Sequence, residues 1–298
     1  MRSTTWMLGL KAVAIAAFAL SSIAVVPASQ ARTRHHHSTA SRASSDPRLR
    51  SSAVLVVDKS DASVIYSKRA NVAAPIASIT KLMTALVVLD GKQPMDQMLT
   101  IAREDCSLHK GAASRLAVGT ELSRRDLLHL ALMSSENRAA HALGRNYPGG
   151  TVAFVQAMNI KARALGMTHA HFVDPSGLSE ENVASPEDLV KLVTAASQRG
   201  TIREFSTDRG YTVKVGRRIM EYRNTNSLVS NPNWTIHVQK TGFINEAGRC
   251  LVMQAVIDGR TVVMVLLDST GKYTRTADAQ RLRLWMESRA RAGLRAAI

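Results

Sequence analysis

Strand-forming runs stand at both ends of this chain and helix-forming runs fill its middle, an order that admits few folds. Ala53–Val57 and Ser63–Tyr66 are rich in β-branched residues and are separated by a turn at Lys59–Ala62. The pattern returns far along the chain at Thr235–Gln239, Leu251–Ile257 and Thr261–Leu267, the last two joined by Asp258-Gly259-Arg260. Between them, Ser78–Leu89 is almost wholly apolar, and Arg124–Met133, Asn137–Arg145, Val152–Leu165 and Pro186–Ser197 have helical spacing. Tyr211–Tyr222 alternates as a further hairpin would, and Ala277–Leu294 closes the chain as a helix candidate. The expected class is α/β in the mixed sense. One antiparallel sheet, with the first hairpin beside the last strands, is flanked by helices and carries an inserted helical lobe. The sheet part is placed at about 51–75 and 225–298 and the lobe at about 76–224, with a cleft where they meet.

Residues 1–31 read as an export signal rather than as part of the fold. Arg2 and Lys11 precede an uncharged run from Ala12 to Val26, and Pro27, Ala28, Ser29 and Ala31 supply a cleavage site after Ala31. That run falls short of the roughly 20 residues that span a bilayer, so a cleaved signal and a periplasmic mature protein are expected. Residues 32–50 are rich in Ser, Arg and His without apolar periodicity and read as a basic disordered linker; the three histidines at 35–37 are read as solvated rather than metal-binding.

The chain holds 39 Lys and Arg against 23 Asp and Glu, a formal charge of +16. Residues 1–50 contribute a surplus of six, which leaves the body near +10. Such a surface favours polyanions. In an exported protein these are cell-wall polymers or lipid head groups; no nucleic acid is expected, because the usual aromatic and zinc motifs are missing. With 45% hydrophobic and 21% charged residues, the body is neither disordered nor polytopic.

Several chemistries fail on inspection. The sequence has no G-x-S-x-G, H-E-x-x-H, G-x-G-x-x-G or Walker A pattern, and neither metal nor cofactor is expected. Three short motifs stand in order instead. S-x-x-K occurs at Ser78/Lys81, Ser107/Lys110 and Ser269/Lys272, where composition alone predicts about one copy. S-x-N occurs at Ser135-Glu136-Asn137. Lys240-Thr241-Gly242 is unique, with a chance expectation of roughly 0.04.

Context selects the first serine. Ser78 and Lys81 sit one turn apart at the head of an apolar helix, so both side chains share a face. Gly111 spoils the helix after Lys110, and Gly271 interrupts the Ser269 copy, which also follows the K-T-G. Burial matters because a lysine with the usual pKa of about 10.4 is almost never neutral at pH 7. To act as a base its pKa must fall to about 7, and an apolar helix with a second cation nearby, such as Lys240, pushes it that way. Taken singly, each motif has a structural reading: a helix cap with a snorkelling lysine, a capping turn, a strand-end turn. Ser135 and Asn137 lie between two helical runs, where a hydroxyl and a carboxamide can be aimed into a cleft. Lys240-Thr241-Gly242 ends a strand-like run, where it offers charge, a hydroxyl for a carboxylate, and close backbone approach.

S-x-x-K, S-x-N and K-T-G in this order are the signature of class A β-lactamases and penicillin-binding proteins. The chain resembles the low-molecular-weight serine D,D-peptidases, and in detail the D-alanyl-D-alanine endopeptidases of the penicillin-binding protein 7 type. The stretches that carry the resemblance are 77–86, 114–140, HFVDPSGLS (171–179) and KTGFINEAGRCLVMQA (240–255). It implies Ser78 as nucleophile, Lys81 as its base, Ser135 as relay to the leaving amine, and Asn137 as orienter of Lys81 and substrate. Lys240 and Thr241, with Gly242, would hold the substrate carboxylate, and the backbone N–H groups of Ser78 and Phe243 would form an oxyanion hole. Glu136 stands where most relatives have glycine. The resemblance further implies a peptidoglycan peptide as substrate, β-lactams as inhibitors and a monomeric enzyme. Alternative readings are a D-alanyl-D-alanine carboxypeptidase, a serine β-lactamase, for which no E-x-x-L-N stretch follows Asn137, and an inert cell-wall-binding scaffold.

Two features stay open at this level. Cys106 and Cys250 either pair or remain free thiols. The closing arginine-rich helix is expected to pack its apolar face on the sheet; peripheral contact with a membrane surface is the alternative.

Overall fold

The computed structural model describes residues 46–106 and 114–296. The export-signal reading, most of the linker with its three histidines, and the Ser107/Lys110 pair therefore lie outside the described residues.

The chain opens with an antiparallel hairpin of β1 (Ser51–Asp58) and β2 (Val64–Lys68). Its turn is closed by Asp58, whose carboxylate accepts from the amide and hydroxyl of Ser60 at 2.8 and 2.6 Å. A two-residue strand, β3 (Ala74–Pro75), leads through a 3₁₀ turn at Ala77–Ile79 into α1 (Thr80–Asp90). The helical part continues through the short strands β4 (Met98–Thr100) and β5 (Glu121–Ser123) to α2 (Arg124–Met133), α3 (Asn137–Arg145) and α4 (Gly150–Ala164). After β6 (Val183–Ala184), which pairs with β3, come α5 (Pro186–Ser197) and α6 (Gly200–Thr207). The hairpin expected at Tyr211–Tyr222 is β7 (Gly210–Val215) with β8 (Arg218–Arg223). Three ten-residue strands then follow, β9 (Thr235–Ile244), β10 (Gly248–Ile257) and β11 (Arg260–Ser269), and α7 (Thr274–Ala296) ends the fold.

The main sheet runs β2-β1-β11-β10-β9, antiparallel throughout, so the first hairpin does lie beside the last strands. Its central strands are buried on both faces, which is why β1 reads as a continuous apolar run rather than an alternation. Ala53, Leu55 and Val57 join the core shared with the helical part, whereas Val54 and Val56 join a second core under α7. Helix starts follow local chemistry. Ser123 Oγ caps α2 by accepting from Asp126 N, and α5 begins with a Ser185–Asp188 capping box and Pro186 at its first position. Helix α5 packs on the sheet's helical side, against β1, β9, β10 and β11, so it belongs to the sheet's cover although it falls within 76–224.

Helix α7 covers the opposite face. Ala279, Leu282, Trp285 and Met286 are buried against the sheet, as expected for an apolar face that packs inward. No helix among the described residues is long and apolar enough to cross a membrane. A buried carboxylate ties this helix to the start of the fold. Asp278 accepts from the amides of Arg50 and Ser51, at 3.0 and 2.7 Å, and from Ser51 Oγ at 2.6 Å, with Arg281 alongside. Leu49 packs on the same core, so the last residues of the stretch read as a linker are seated. Cys106 and Cys250 are both free thiols.

Removing the Asp278 carboxylate leaves buried donors without an acceptor, at a cost of about 2–3 kcal/mol. Asp278→Ala should therefore lower the thermal midpoint by roughly 4–10 °C in a domain of this size. Differential scanning calorimetry checks it; an unchanged midpoint would mean that α7 is held by its apolar face alone.

Candidate active site

The 3₁₀ turn that carries Ser78 is forced into place by its neighbours. Ala77 has φ of 48°, in the left-handed region that a non-glycine residue seldom adopts. Two glycines make room for it. A Cβ on Gly177 would lie 1.9 Å from the carbonyl oxygen of Ala77, and one on Gly242 would lie 2.9 Å from that of Ile76 and 3.2 Å from Ser78 N. The turn is further pinned by Ile76 N donating to Asn182 O at 3.0 Å and Thr80 Oγ1 donating to Ala77 O at 2.8 Å. Ser78 thus precedes α1, in the 3₁₀ turn rather than in the helix proper, and Lys81 lies in the first turn of α1, where Thr80 to Val88 are all buried.

Lys81 is fully buried and its amine is surrounded by oxygen. Nζ donates to Ser78 Oγ at 2.8 Å, to Asn137 Oδ1 at 2.8 Å and to the carbonyl of Ser176 at 2.7 Å. Desolvation brings its pKa down to about 7, against a smaller opposing pull from the carboxylates of Asp174 and Glu136. The second amine, Lys240 Nζ, donates to Ser135 Oγ at 2.8 Å and to its neighbour's carbonyl, Thr241 O, at 2.9 Å. Burial, then the positive charges of Lys81 and Arg275, hold Lys240 well below the ordinary lysine range. Two cations forced into one dry site cannot both keep their protons cheaply.

Ser135 and Asn137 are placed by the turn between α2 and α3. Ser134 Oγ and the amides of Ser134 and Glu136 all donate to Leu130 O, at 2.8, 3.1 and 3.1 Å. Ser135 itself has φ of 64°, a strained setting that aims its hydroxyl at Lys240. The strand-like run expected at Thr235–Gln239 extends further, because β9 runs unbroken through the K-T-G motif to Ile244. Lys240, Thr241 and Gly242 pair with Val252, Leu251 and Cys250 of β10, so the ladder carries the run onward. Lys240 and Gly242 face the helical side, as do Val252 and Cys250. Thr241 Oγ1 lies 2.6 Å from Thr225 Oγ1. The ring of Phe243 is half exposed and stacks with Arg249, away from the lysines. The structure thus brings Ser78, Lys81, Ser135, Asn137, Lys240, Thr241 and Gly242 into one constellation. Among the described residues no three His, Cys, Asp or Glu side chains gather as a metal site.

Residues 39–271 match the family model described as D-alanyl-D-alanine carboxypeptidase. The chain belongs to that family. It is 50% identical over 242 residues to a D-alanyl-D-alanine endopeptidase of Pseudomonas aeruginosa, covering 80% of this chain and 78% of the relative. It is 47% identical over 251 residues to a D-alanyl-D-alanine endopeptidase of Escherichia coli, covering 84% and 81%. The crystal structure of the Streptomyces K15 DD-transpeptidase superposes with a TM-score of 0.75 at 29% identity, covering 80% of this chain and 98% of that one.

Three supports of this D-alanyl-D-alanine carboxypeptidase family site escape a motif reading. The first is the loop behind Lys81. Asp174 Oδ1 accepts from Ser176 N and Oγ at 2.6 Å each and from Gly177 N at 2.8 Å, and Oδ2 accepts from Ser179 N at 3.0 Å. That carboxylate holds the Ser176 carbonyl on the lysine. The second is Asn182, which accepts from Val173 N at 2.7 Å and donates to Asp174 O at 2.9 Å, closing the loop. The third is Glu136, buried, which grips the segment before α2 through Ser114 Oγ at 2.6 Å and Arg115 N at 2.8 Å. A carbonyl has no residue-type signature, but the D-P-S-G-L-S string, a carboxylate followed by small turn residues, is the signal that marks such a loop.

Gly177→Ala puts a methyl group into the Ala77 backbone at a position whose φ is +79°. Because backbone meets backbone, the expected cost is about 3 kcal/mol or more. The thermal midpoint should fall by at least roughly 6 °C and the Ser78–Lys81 contact should be lost; a variant as stable as the parent would refute the close approach.

Proposed function

We propose that this chain is an exported peptidoglycan D,D-endopeptidase that cleaves D-alanyl cross-links through an acyl-serine intermediate and is acylated at Ser78 by β-lactams. One observation carries the reading: the amine of Lys81, with a pKa of about 7, sits 2.8 Å from Ser78 Oγ. With Lys81 neutral, the Ser78 hydroxyl turns to donate to the amine, and the oxygen attacks the D-alanyl carbonyl as its proton passes to Nζ. The oxyanion is received by the backbone N–H groups of Ser78 and Phe243. As the C–N bond breaks, Ser135, hydrogen-bonded to Lys240, delivers a proton to the leaving amine and is reprotonated at the expense of the proton Lys81 took, so that Lys81 is neutral again for the next step. Water then cleaves the ester and restores Ser78. Asn137 holds Lys81 in register throughout, and Thr241 and Lys240 receive the carboxylate of the leaving residue.

The position of β9 at the edge of the sheet, with Gly242 packed beside Ser78, supports a peptide substrate that lies along the strand. The endopeptidase names of the two relatives support a cross-link over a terminal D-alanine. A β-lactamase needs a carboxylate to activate the deacylating water. Of the two carboxylates whose charge reaches Lys81, Asp174 is engaged by its loop and Glu136 by residues 114–115, which leaves neither for that role. The inert-scaffold reading is disfavoured by the intact set of contacts.

Fluorescent penicillin should label the wild type in near one-to-one yield with slow release, and should not label Ser78→Ala. The acylation rate constant should rise between about pH 6 and 8, because the base works only when Lys81 has lost its proton, around pH 7. Labelling of Ser78→Ala, a rate that falls over that range, or rapid turnover of a chromogenic cephalosporin would overturn the assignment. Defined muropeptides read by mass spectrometry should show dimers converted to monomers.

A further inference from the structure

The carboxylate site at Lys240 and Thr241 cannot tell a cross-link from a terminal D-alanine, because both present a carboxylate next to the bond that breaks. The next residues along the strand differ in what they can tell apart. In the β9–β10 ladder Phe243 lies directly opposite Arg249, and Thr241 opposite Leu251. Leu251 points into the core under α7, so Thr241, Phe243 and Arg249 all stand on the α7 face of the sheet edge. The Arg249 guanidinium lies 4.4 Å from the centre of the half-exposed Phe243 ring. Beside them Arg275 donates from Nη1 to Gly242 O at 2.8 Å and to Cys250 O at 3.4 Å. Burial and then the charge of Arg249 hold Arg275 below the ordinary arginine range, which marks the two guanidiniums as close neighbours. Among the described residues neither has a carboxylate within ion-pair distance. The pair therefore stands without an anion one residue along the strand from Gly242 of the K-T-G motif.

We propose that the shelf formed by Phe243 and Arg249, next to Arg275, seats the leaving strand of a cross-linked peptide and so favours cross-links over single pentapeptides. This rests on the endopeptidase reading of the Ser78 site. A terminal D-alanine leaves as one carboxylate and one methyl group, and nothing in it reaches past Thr241. The leaving strand of a cross-link adds a methylene chain and a second peptide with further free carboxylates. The methylene chain matches the open ring of Phe243, and the carboxylates match two guanidiniums that lack an anion. Arg249 acts here on substrate choice, not on the reacting bond.

The test compares Arg249→Ala and Arg249→Lys with wild type on three reactions: cleavage of a defined cross-linked dimer, hydrolysis of the monomer pentapeptide, and acylation by benzylpenicillin. Arg249→Ala should raise KM for the dimer about tenfold, with kcat, pentapeptide hydrolysis and penicillin acylation within about threefold. Arg249→Lys, which keeps charge but not the stacked plane, should recover part of the loss. Added salt should weaken wild-type dimer binding more than that of Arg249→Ala. Equal losses on dimer and pentapeptide, or an unchanged dimer KM, would overturn the proposal while leaving the peptidase reading intact. A wild type that is acylated by penicillin yet cleaves neither peptide would overturn both. Unimpaired penicillin acylation in the variants certifies that they fold.

Discussion

Two lysine amines buried within one cleft set the terms for everything around them. An ammonium group loses most of its hydration there, and the second positive charge makes matters worse. The fold meets this cost with oxygen rather than with acid. Lys81 is met by a hydroxyl, a carboxamide and a main-chain carbonyl, and Lys240 by a hydroxyl and a carbonyl. Neutral acceptors steady an amine without fixing its proton. A carboxylate in direct contact would have locked the ammonium form and left no base. Asp174 and Glu136 stay one layer back, where their charge tempers the loss of affinity for the proton without reversing it.

The same logic explains where the backbone is strained. Ala77 and Ser135 both take left-handed conformations that side chains normally avoid; the first precedes Ser78 and the second carries the hydroxyl that meets Lys240. The surroundings hold them there: Gly177 and Gly242 against the first, and three donors converging on Leu130 O around the second. The cleft is therefore assembled from stiff pieces. A two-glycine clasp fixes Ser78 against the strand, and a capped α2–α3 turn fixes Ser135, so that contacts of 2.8 Å form between residues as far apart in sequence as 105 positions.

Much of this was legible beforehand because it depends on local pattern. The long helices carry their own start signals; Ser123 and Ser185 with Pro186 mark the beginnings of α2 and α5, and both helices end where the apolar spacing ends. Short strands such as β3, β4, β5 and β6 have no such mark, since two or three residues become a strand only by meeting a partner. Helix α6 follows α5 after a break of two residues and was not separable by periodicity. The strand-like run before the K-T-G motif was legible, but its continuation to Ile244 was not, because glycine ends the β-branched pattern and only the pairing with β10 carries the strand onward. In the site, residue types that advertise chemistry were found from sequence. The Ser176 carbonyl and the grip of Glu136 on residues 114–115 were not, because their roles arise from main-chain position and long-range contact.

The tie between Asp278 and Ser51 joins the two ends of the fold across 227 positions, and β1 finds its neighbour β11 over a similar distance. A polypeptide made or threaded from its amino end therefore spends nearly its whole emergence with β1 unmatched on that side. The strand bearing Lys240 likewise arrives long after Ser78, so the cleft closes only when segments about 200 positions apart have met.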